Sequence, residues 1–222
     1  MTVRVLALDY DGTIADHGRL DPEAATAIGD ARRSGIAVVL VTGRILAGLE
    51  RDLPNLRLFD SVVAENGAVV MLPASGRTTV VGPPAPRAFL EALKRYRVPH
   101  ESGQCLVAAS ALHAPVLRQV IRELGLELAI IFNRGSAMVL PQGISKASGL
   151  DLALSTLHLS ADAAVGIGDG ENDIDLLERC GVSVAVAWGA EALKEVADEV
   201  LAGDGPAAVG AYIRRLVAAR RI

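Results

Sequence analysis

Aromatic residues make up only 3% of this 222-residue chain, and cysteine occurs twice, at Cys105 and Cys180. So few rings leave little for stacking on nucleic-acid bases. Two distant cysteines supply neither a disulfide framework nor a metal-ligand pattern, and both are expected as reduced core residues. Basic residues are in deficit, 22 Lys and Arg against 26 Asp and Glu for a formal charge of −4, which removes any overall attraction to nucleic acid or anionic membrane. Long apolar runs are also missing. None reaches the ~18 residues of a membrane span, and the opening stretch MTVRVLALDYDG breaks at Asp9, without the apolar length or cleavage site of a signal peptide. The expectation is a cytoplasmic protein without nucleic-acid or membrane partners, monomeric or homodimeric.

What is present is a rich supply of Ala, Val and Leu, with 51% hydrophobic and 22% charged residues, enough for a substantial core. At about 150 residues per domain, the length allows one domain or one with a smaller companion. Short apolar, β-branched runs recur at Val3 to Leu8, Ile36 to Val41, Ser61 to Ala64, Ala163 to Ile167 and Val182 to Ala187. Each is followed by helical spacing, the pattern of βαβ units. Asp21-Pro22 opens one helix as N-cap and first residue, and Gly35 closes it. Further helices are expected over Ile174 to Cys180, Ala190 to Ala197 and Ala207 to Arg220. Because the runs are apolar throughout rather than alternating, they suit strands covered on both faces, and a doubly wound parallel sheet, a Rossmann-like core, is expected.

The middle of the chain differs. Gly67 to Leu72 and Thr78 to Val81 flank Pro73-Ala-Ser-Gly76 as a hairpin, and Gly82-Pro-Pro-Ala-Pro86 reads as a linker. Beyond it come helices near Arg87 to Tyr96 and Ala114 to Leu124, and strands near Gln104 to Ala109, Leu128 to Phe132 and Ala137 to Leu140. Asn133-Arg-Gly-Ser136 joins the last two as a hairpin turn. Two helices on a small antiparallel sheet make an α+β insert, placed at residues 83–141 between core segments 1–82 and 142–222.

Four polar clusters fall at strand ends or just before helices, where open α/β sheets bind ligands. The first is Asp9-Tyr-Asp11-Gly12-Thr13, which alone is as much a turn signal as a pair of carboxylates for nucleophilic and acid/base work. The second, Thr42-Gly43-Arg44, reads equally as an anion pocket or as an N-cap with a turn glycine. Lys146 follows Gly143 and Ser145 near a helix start; alone, a lysine is normally solvated. The fourth, Gly168-Asp169-Gly170-Glu171-Asn172-Asp173, places three acids and an amide within six residues, more than a turn needs and suited to a hard cation. Together they are an inventory for phosphoryl transfer.

In order and spacing these clusters resemble the four motifs of the haloacid dehalogenase superfamily of phosphatases. Glu65-Asn66-Gly67-Ala68 and the position of the insert resemble the IIB subclass, in which an α+β cap covers the site, and the short insert resembles the small-cap phosphoglycolate phosphatases. The resemblance implies that Asp9 is the nucleophile and Asp11 the acid/base. It implies Mg²⁺ held by the Asp9 carboxylate, the Asp11 carbonyl and Asp169, with Asp173 bound directly or through water. Thr42, Gly43 and Lys146 would bind phosphate, and Asn172 would orient the phosphate or Lys146. For Arg44, substrate contact and a surface salt bridge both stand. The implied substrate is a small phosphorylated metabolite, phosphoglycolate or a sugar phosphate. A phosphosugar mutase or phosphotransferase is the alternative, and a phospho-accepting receiver-like domain a further one, against which Asp11 and the insert argue.

Charge is unevenly divided. Pro84 to Leu140 carries seven basic against four acidic residues, +3, which leaves −7 for the remainder. A cationic cap over an acidic core favours a substrate with a second anionic group, and Arg134 in the hairpin turn is the first candidate to meet it. The four histidines do not cluster, Trp188 reads as packing, and Cys180 as a buried helix-terminal residue.

Overall fold

The computed structural model describes residues 3–219. From β1 (Val5–Leu8) the chain passes through a small hairpin, β2 (Ala15–Asp16) and β3 (Arg19–Leu20), into α1 (Pro22–Arg33). β4 (Ala37–Val41), α2 (Leu46–Asp52), β5 (Ser61–Ala64) and the hairpin β6 (Val69–Leu72) and β7 (Arg77–Val80) follow. A smaller unit comes next: α3 (Arg87–Arg95), β8 (His100–Ser102), β9 (Val107–Ser110), α4 (Ala114–Glu123), β10 (Leu128–Asn133) and β11 (Ser136–Pro141). The chain then returns through α5 (Lys146–Leu157), β12 (Ala164–Gly168), α6 (Ile174–Arg179), β13 (Val182–Val186), α7 (Glu191–Val196), β14 (Glu199–Leu201) and α8 (Pro206–Ala219).

The main sheet runs β14-β13-β12-β1-β4-β5-β6-β7. Its first six strands are parallel and the β6–β7 hairpin adds an antiparallel edge. Alternation along each strand feeds two cores. Leu6, Leu8, Val38 and Leu40 face α1 and α8, which contribute Ala24, Ile28, Val209 and Ile213. Val5, Ala7, Val39 and Val41 face the opposite layer, where α5, α6 and α7 supply Leu150, Leu154, Leu177 and Leu193. Apolar burial on both faces explains why the runs look uniform in sequence. At α1, the Asp21 side chain accepts from the Ala24 amide at 2.9 Å and Pro22 occupies the first turn.

Register decides what the sheet presents. Leu8 aligns with Ile167 on one side and with Leu40 on the other, and Val41 aligns with Val63. Residues just past these positions, Asp9, Asp169, Thr42 and Glu65, therefore leave the sheet at one edge.

The smaller unit is a four-stranded antiparallel sheet, β10-β11-β9-β8, with α3 and α4 on one face. Phe89 and Leu93 of α3, Leu117 and Val120 of α4, and Val107, Ala137 and Val139 of the sheet form its own core. Beside the expected elements, the structure adds the β2–β3 hairpin, α2, β8 and β14 and trims several ends. Strand pairing begins at Val5, Ala37 and Ala164, and the strand expected from Gln104 starts only at Val107 because residues 104–106 turn toward the main domain instead. Cys105 is buried, whereas Cys180, expected to be buried, is only half-buried as the residue that ends α6, its sulfur turned toward Gly166 of β12. Arg220, in the last expected helix, lies outside the described residues.

Phe89 is fully buried in the small core, so Phe89→Ala should cost about 3–5 kcal/mol. In denaturant titration a loss under about 1 kcal/mol would show that Phe89 does not anchor this unit.

Candidate active site

At the edge where β1, β4 and β12 end, three carboxylates meet. Oxygens of Asp9, Asp169 and Asp173 all lie within 4.8 Å of one another, and all three side chains are buried. Lys146, the first residue of α5, enters from the other side and is itself fully buried. Its Nζ donates to Asp9 Oδ1 at 2.6 Å and to Asp173 Oδ1 at 2.5 Å. The lysine is thus the ammonium partner of the cluster. Ser145 fixes the helix start, exchanging capping hydrogen bonds with Ser148.

Backbone geometry aims each acid. Asp9 follows directly from β1, its amide bonded to the Ile167 carbonyl of the neighbouring strand. Asp173 Oδ2 accepts from the amides of Asp169 and Gly170 at 3.1 and 2.9 Å, locking the turn that carries all three residues. A side chain at Gly168 would stand 2.7 Å from Asp173 Cβ, so the approach requires glycine there. Thr13 donates its hydroxyl to Asp169 Oδ1.

Electrostatics follow from crowding and burial. Asp9 is held well above the usual carboxylate range, first by burial and then by the Asp173 charge, against the opposing pull of Lys146. Asp169 is raised for the same two reasons, with Arg134 opposing. Burial pulls Lys146 down, but the charges of Asp173 and Asp9 outweigh it and its net shift is upward. One ammonium therefore does not neutralise the cluster. An all-oxygen, partly uncompensated carboxylate set fits a hard divalent cation such as Mg²⁺, which takes oxygen ligands.

Thr42 is buried beside the cluster and its Oγ1 accepts from the Arg44 amide at 3.1 Å. A Cβ on Gly43 would lie 2.9 Å from Met138 Sδ of β11, so the small unit packs directly over this loop. Arg44 makes a bidentate pair with Asp11 at 2.6 and 2.7 Å, reaches Asp52 at 3.1 Å and lies over the Tyr10 ring. Of the two roles open to Arg44, the structure shows the ion pair, and its partner is the expected acid/base. Asn172 makes no hydrogen bond to Lys146 among the described residues. Its Nδ2 donates to Asn66 Oδ1 at 3.4 Å, in the turn that follows β5. Asn172 Oδ1 is buried beside Gly170 without a hydrogen-bond partner among the described residues.

A cleft of about 640 Å³ opens above this floor, lined by Asp9, Asp11, Thr42, Gly43 and Arg44 below and by Asn133, Arg134, Ser136 and Met138 of the small unit above. The small unit is a cap. Arg134, at a left-handed position of the β10–β11 turn, reaches down to Asp169. Its guanidinium lies against Gly12, where a Cβ would overlap it.

Three contacts escape sequence reasoning. Trp188 donates its ring N–H to the Gly12 carbonyl at 2.7 Å rather than only packing. Glu65 is fully buried and bonded to the cap. Asn66 shares the Asn172 amide. Only the unusual Glu-Asn-Gly run marked the last two, and nothing marked Trp188.

The haloacid dehalogenase-like hydrolase family model matches residues 6–110 and 118–213. The phosphoglycolate phosphatase of Methanothermobacter thermautotrophicus is 30% identical over 222 residues, 97% of this chain and 99% of that protein. That of Halorubrum lacusprofundi is 34% identical over 229 residues, 94% and 96% of the two chains. Among solved structures, Thermoplasma acidophilum 0175 superimposes with a TM-score of 0.80 at 18% identity, covering 97% of this chain and 99% of that one. The subclass IIB sugar phosphatase BT4131 gives 0.76 at 18% identity, covering 96% and 98%. These structural likenesses establish the fold.

Asp9 and Asp169 have raised values, so the folded state holds protons that the unfolded chain has released. Ionising them as pH rises through that window therefore costs the folded state stability in the absence of a cation. Added Mg²⁺ should raise the melting temperature more at pH 8 than at pH 5. A larger increase at pH 5 would contradict this assignment.

Proposed function

Because the chain belongs to the haloacid dehalogenase-like hydrolases and is a phosphatase of that family, we propose that it hydrolyses a small phosphorylated metabolite, phosphoglycolate first among them, through a phosphoryl-enzyme on Asp9. The observation that carries this reading is the convergence of Asp9, Asp169 and Asp173 around buried Lys146 at the floor of a cleft roofed by a cationic cap. Relatives named phosphoglycolate phosphatase, similar over nearly the whole chain, support the choice of substrate. A cleft of a few hundred cubic ångströms suits a small ester. We place the cap at residues 83–141, between core segments 1–82 and 142–222.

Asp9 supplies the nucleophilic oxygen. Its lone pair forms the bond to phosphorus as the bond from phosphorus to the ester oxygen breaks, and Asp11 gives that oxygen its proton. In the second half Asp11 takes a proton from water, the water oxygen bonds to phosphorus, and the Asp9 carboxylate leaves. Delivering a proton requires Asp11 to hold one, so its bidentate pair with Arg44 must open as the leaving group enters. Lys146 keeps Asp9 aligned and presents positive charge to the phosphoryl oxygens, joined by the Thr42 hydroxyl and the Gly43 amide. Asn172 offers the second N–H of its side-chain amide to the same group. The carboxylates of Asp9 and Asp169 and the Asp11 carbonyl, with Asp173 directly or through water, would hold Mg²⁺, which would supply further positive charge to the phosphate.

Arg134 is the group in the cap best placed to meet a substrate carboxylate, since it already reaches a buried acid across the cleft. A charge-assisted contact of this kind contributes about 1.5–3 kcal/mol, or roughly 10–100-fold in affinity.

Asp9→Asn should lower kcat for phosphoglycolate roughly 10⁴-fold or more with an unchanged circular dichroism spectrum; a folded variant with near-normal turnover contradicts the nucleophile assignment. Arg134→Ala should raise KM for phosphoglycolate at least about tenfold while changing KM for an aryl phosphate by less than about threefold. Equal KM values for both enzymes on phosphoglycolate would remove Arg134 from recognition.

A further inference from the structure

Glu65 has no part in the chemistry above, yet its carboxylate is fully buried and sits in an unusual setting. Oε1 accepts from the Gln104 amide at 2.9 Å, and Oε2 from those of Cys105 and Leu106 at 2.9 and 3.1 Å. Three successive N–H groups of the cap thus converge on one side chain of the core, a backbone nest closed around an anion. Among the described residues no Lys, Arg or His makes an ion pair with it, so these amides carry its stabilisation. The fit is close: a Cβ on Gly103 would lie 2.3 to 2.5 Å from the Glu65 carboxyl atoms.

The same turn holds the catalytic floor. Glu65 and Asn66 both adopt left-handed backbone, φ +54° at each, a conformation that costs a non-glycine residue and persists where the surroundings hold it. The Glu65 amide donates to the Arg44 carbonyl and the Asn66 amide to that of Thr42, at 2.9 and 3.0 Å. Asn66 Oδ1 accepts from Asn172. A Cβ on Gly67 would lie 1.9 Å from the Ser145 carbonyl, so the turn also abuts the start of the lysine's helix. The clamp lies beside the crossings between the two units: Cys105 donates its thiol proton to the Gly82 carbonyl, and Gly82 packs on Pro141 and Ile144.

We propose that Glu65 is a positioning residue that pins the base of the cap to the turn aligning Thr42 and Asn172, and so sets where Arg134 stands over the bound substrate. The cap is then a unit pivoting on a fixed point, tied to the phosphate-holding residues through two adjacent side chains. This inference rests on the phosphatase reading and adds to it a residue outside the reacting centre whose loss falls on substrate recognition more than on the chemical step.

The test compares wild type with Glu65→Gln, which keeps shape but turns an N–H toward the nest, and with Gly103→Ala, which crowds the clamp from the cap side. Both should raise KM for phosphoglycolate about tenfold or more while kcat/KM for 4-nitrophenyl phosphate, which needs no carboxylate contact, stays within about threefold. Amide exchange should quicken at 104–106 and also at the distant hairpin 133–136. Losses that run in parallel for both substrates and track the melting temperature would reduce Glu65 to a structural residue and overturn the proposal, as would unchanged kinetics in both variants. Should the Gln variant not fold, Gly103→Ala decides. A wild type inactive on phosphoglycolate but active on the aryl ester would strike the substrate reading instead; the clamp is then judged on hairpin exchange in Gly103→Ala, and an unchanged rate overturns it.

Discussion

The site depends on one buried contact, the Lys146 ammonium wedged between Asp9 and Asp173. Three carboxylates cannot share so small a buried volume unless positive charge accompanies them. Lysine supplies one charge from a helix start, leaving a remainder that suits a divalent cation and repels a phosphate until one is present. The contact also explains the architecture around it. Asp9 must leave β1, Asp173 must close the turn after β12, and α5 must begin beside both, which the parallel register delivers by ending β1, β4 and β12 together.

Around this centre, two arginines occupy the acids the lysine does not reach. Arg44 holds Asp11 from the core, and Arg134 reaches Asp169 from the cap. Both lie in the cleft, so an incoming dianion competes with protein carboxylates for protein cations rather than entering an empty hole. Exchanging one set of ion pairs for another limits the desolvation cost of binding. It also makes affinity depend on the number and spacing of a substrate's negative groups. A cationic cap on an acidic core, visible as +3 against −7, is the whole-molecule form of the same arrangement.

Much of this was legible in the sequence because it is local. Apolar runs ending at Asp9, Thr42 and Asp169 fixed strand ends, and strand ends in a parallel sheet converge whatever lies between them. The cap was legible as a break in pattern between two proline- and glycine-marked crossings. Side-chain contacts between segments distant in sequence were not. Lys146 looks like any solvated lysine until α5 docks, and nothing near Arg44 shows that it will pair with Asp11. Glu65 stood out as part of the Glu-Asn-Gly run, but its role did not: Asn and Gly favour left-handed backbone whereas Glu does not, and its bonds to the cap form only on folding. Residues 104–106 depart from the expected strand because their amides, which a strand would spend on a neighbour, go to the Glu65 carboxylate.

The most direct test of the account is the unfolding free energy of Lys146→Met against wild type, measured in chelator at pH 8 and pH 5. Losing one partner of a buried charge network costs about 3–5 kcal/mol. The account predicts a loss of that size at pH 8 that shrinks at pH 5, where protons on the raised carboxyls of Asp9 and Asp169 take over part of the lysine's task. A loss equal at both pH values, or none at pH 8, would contradict it.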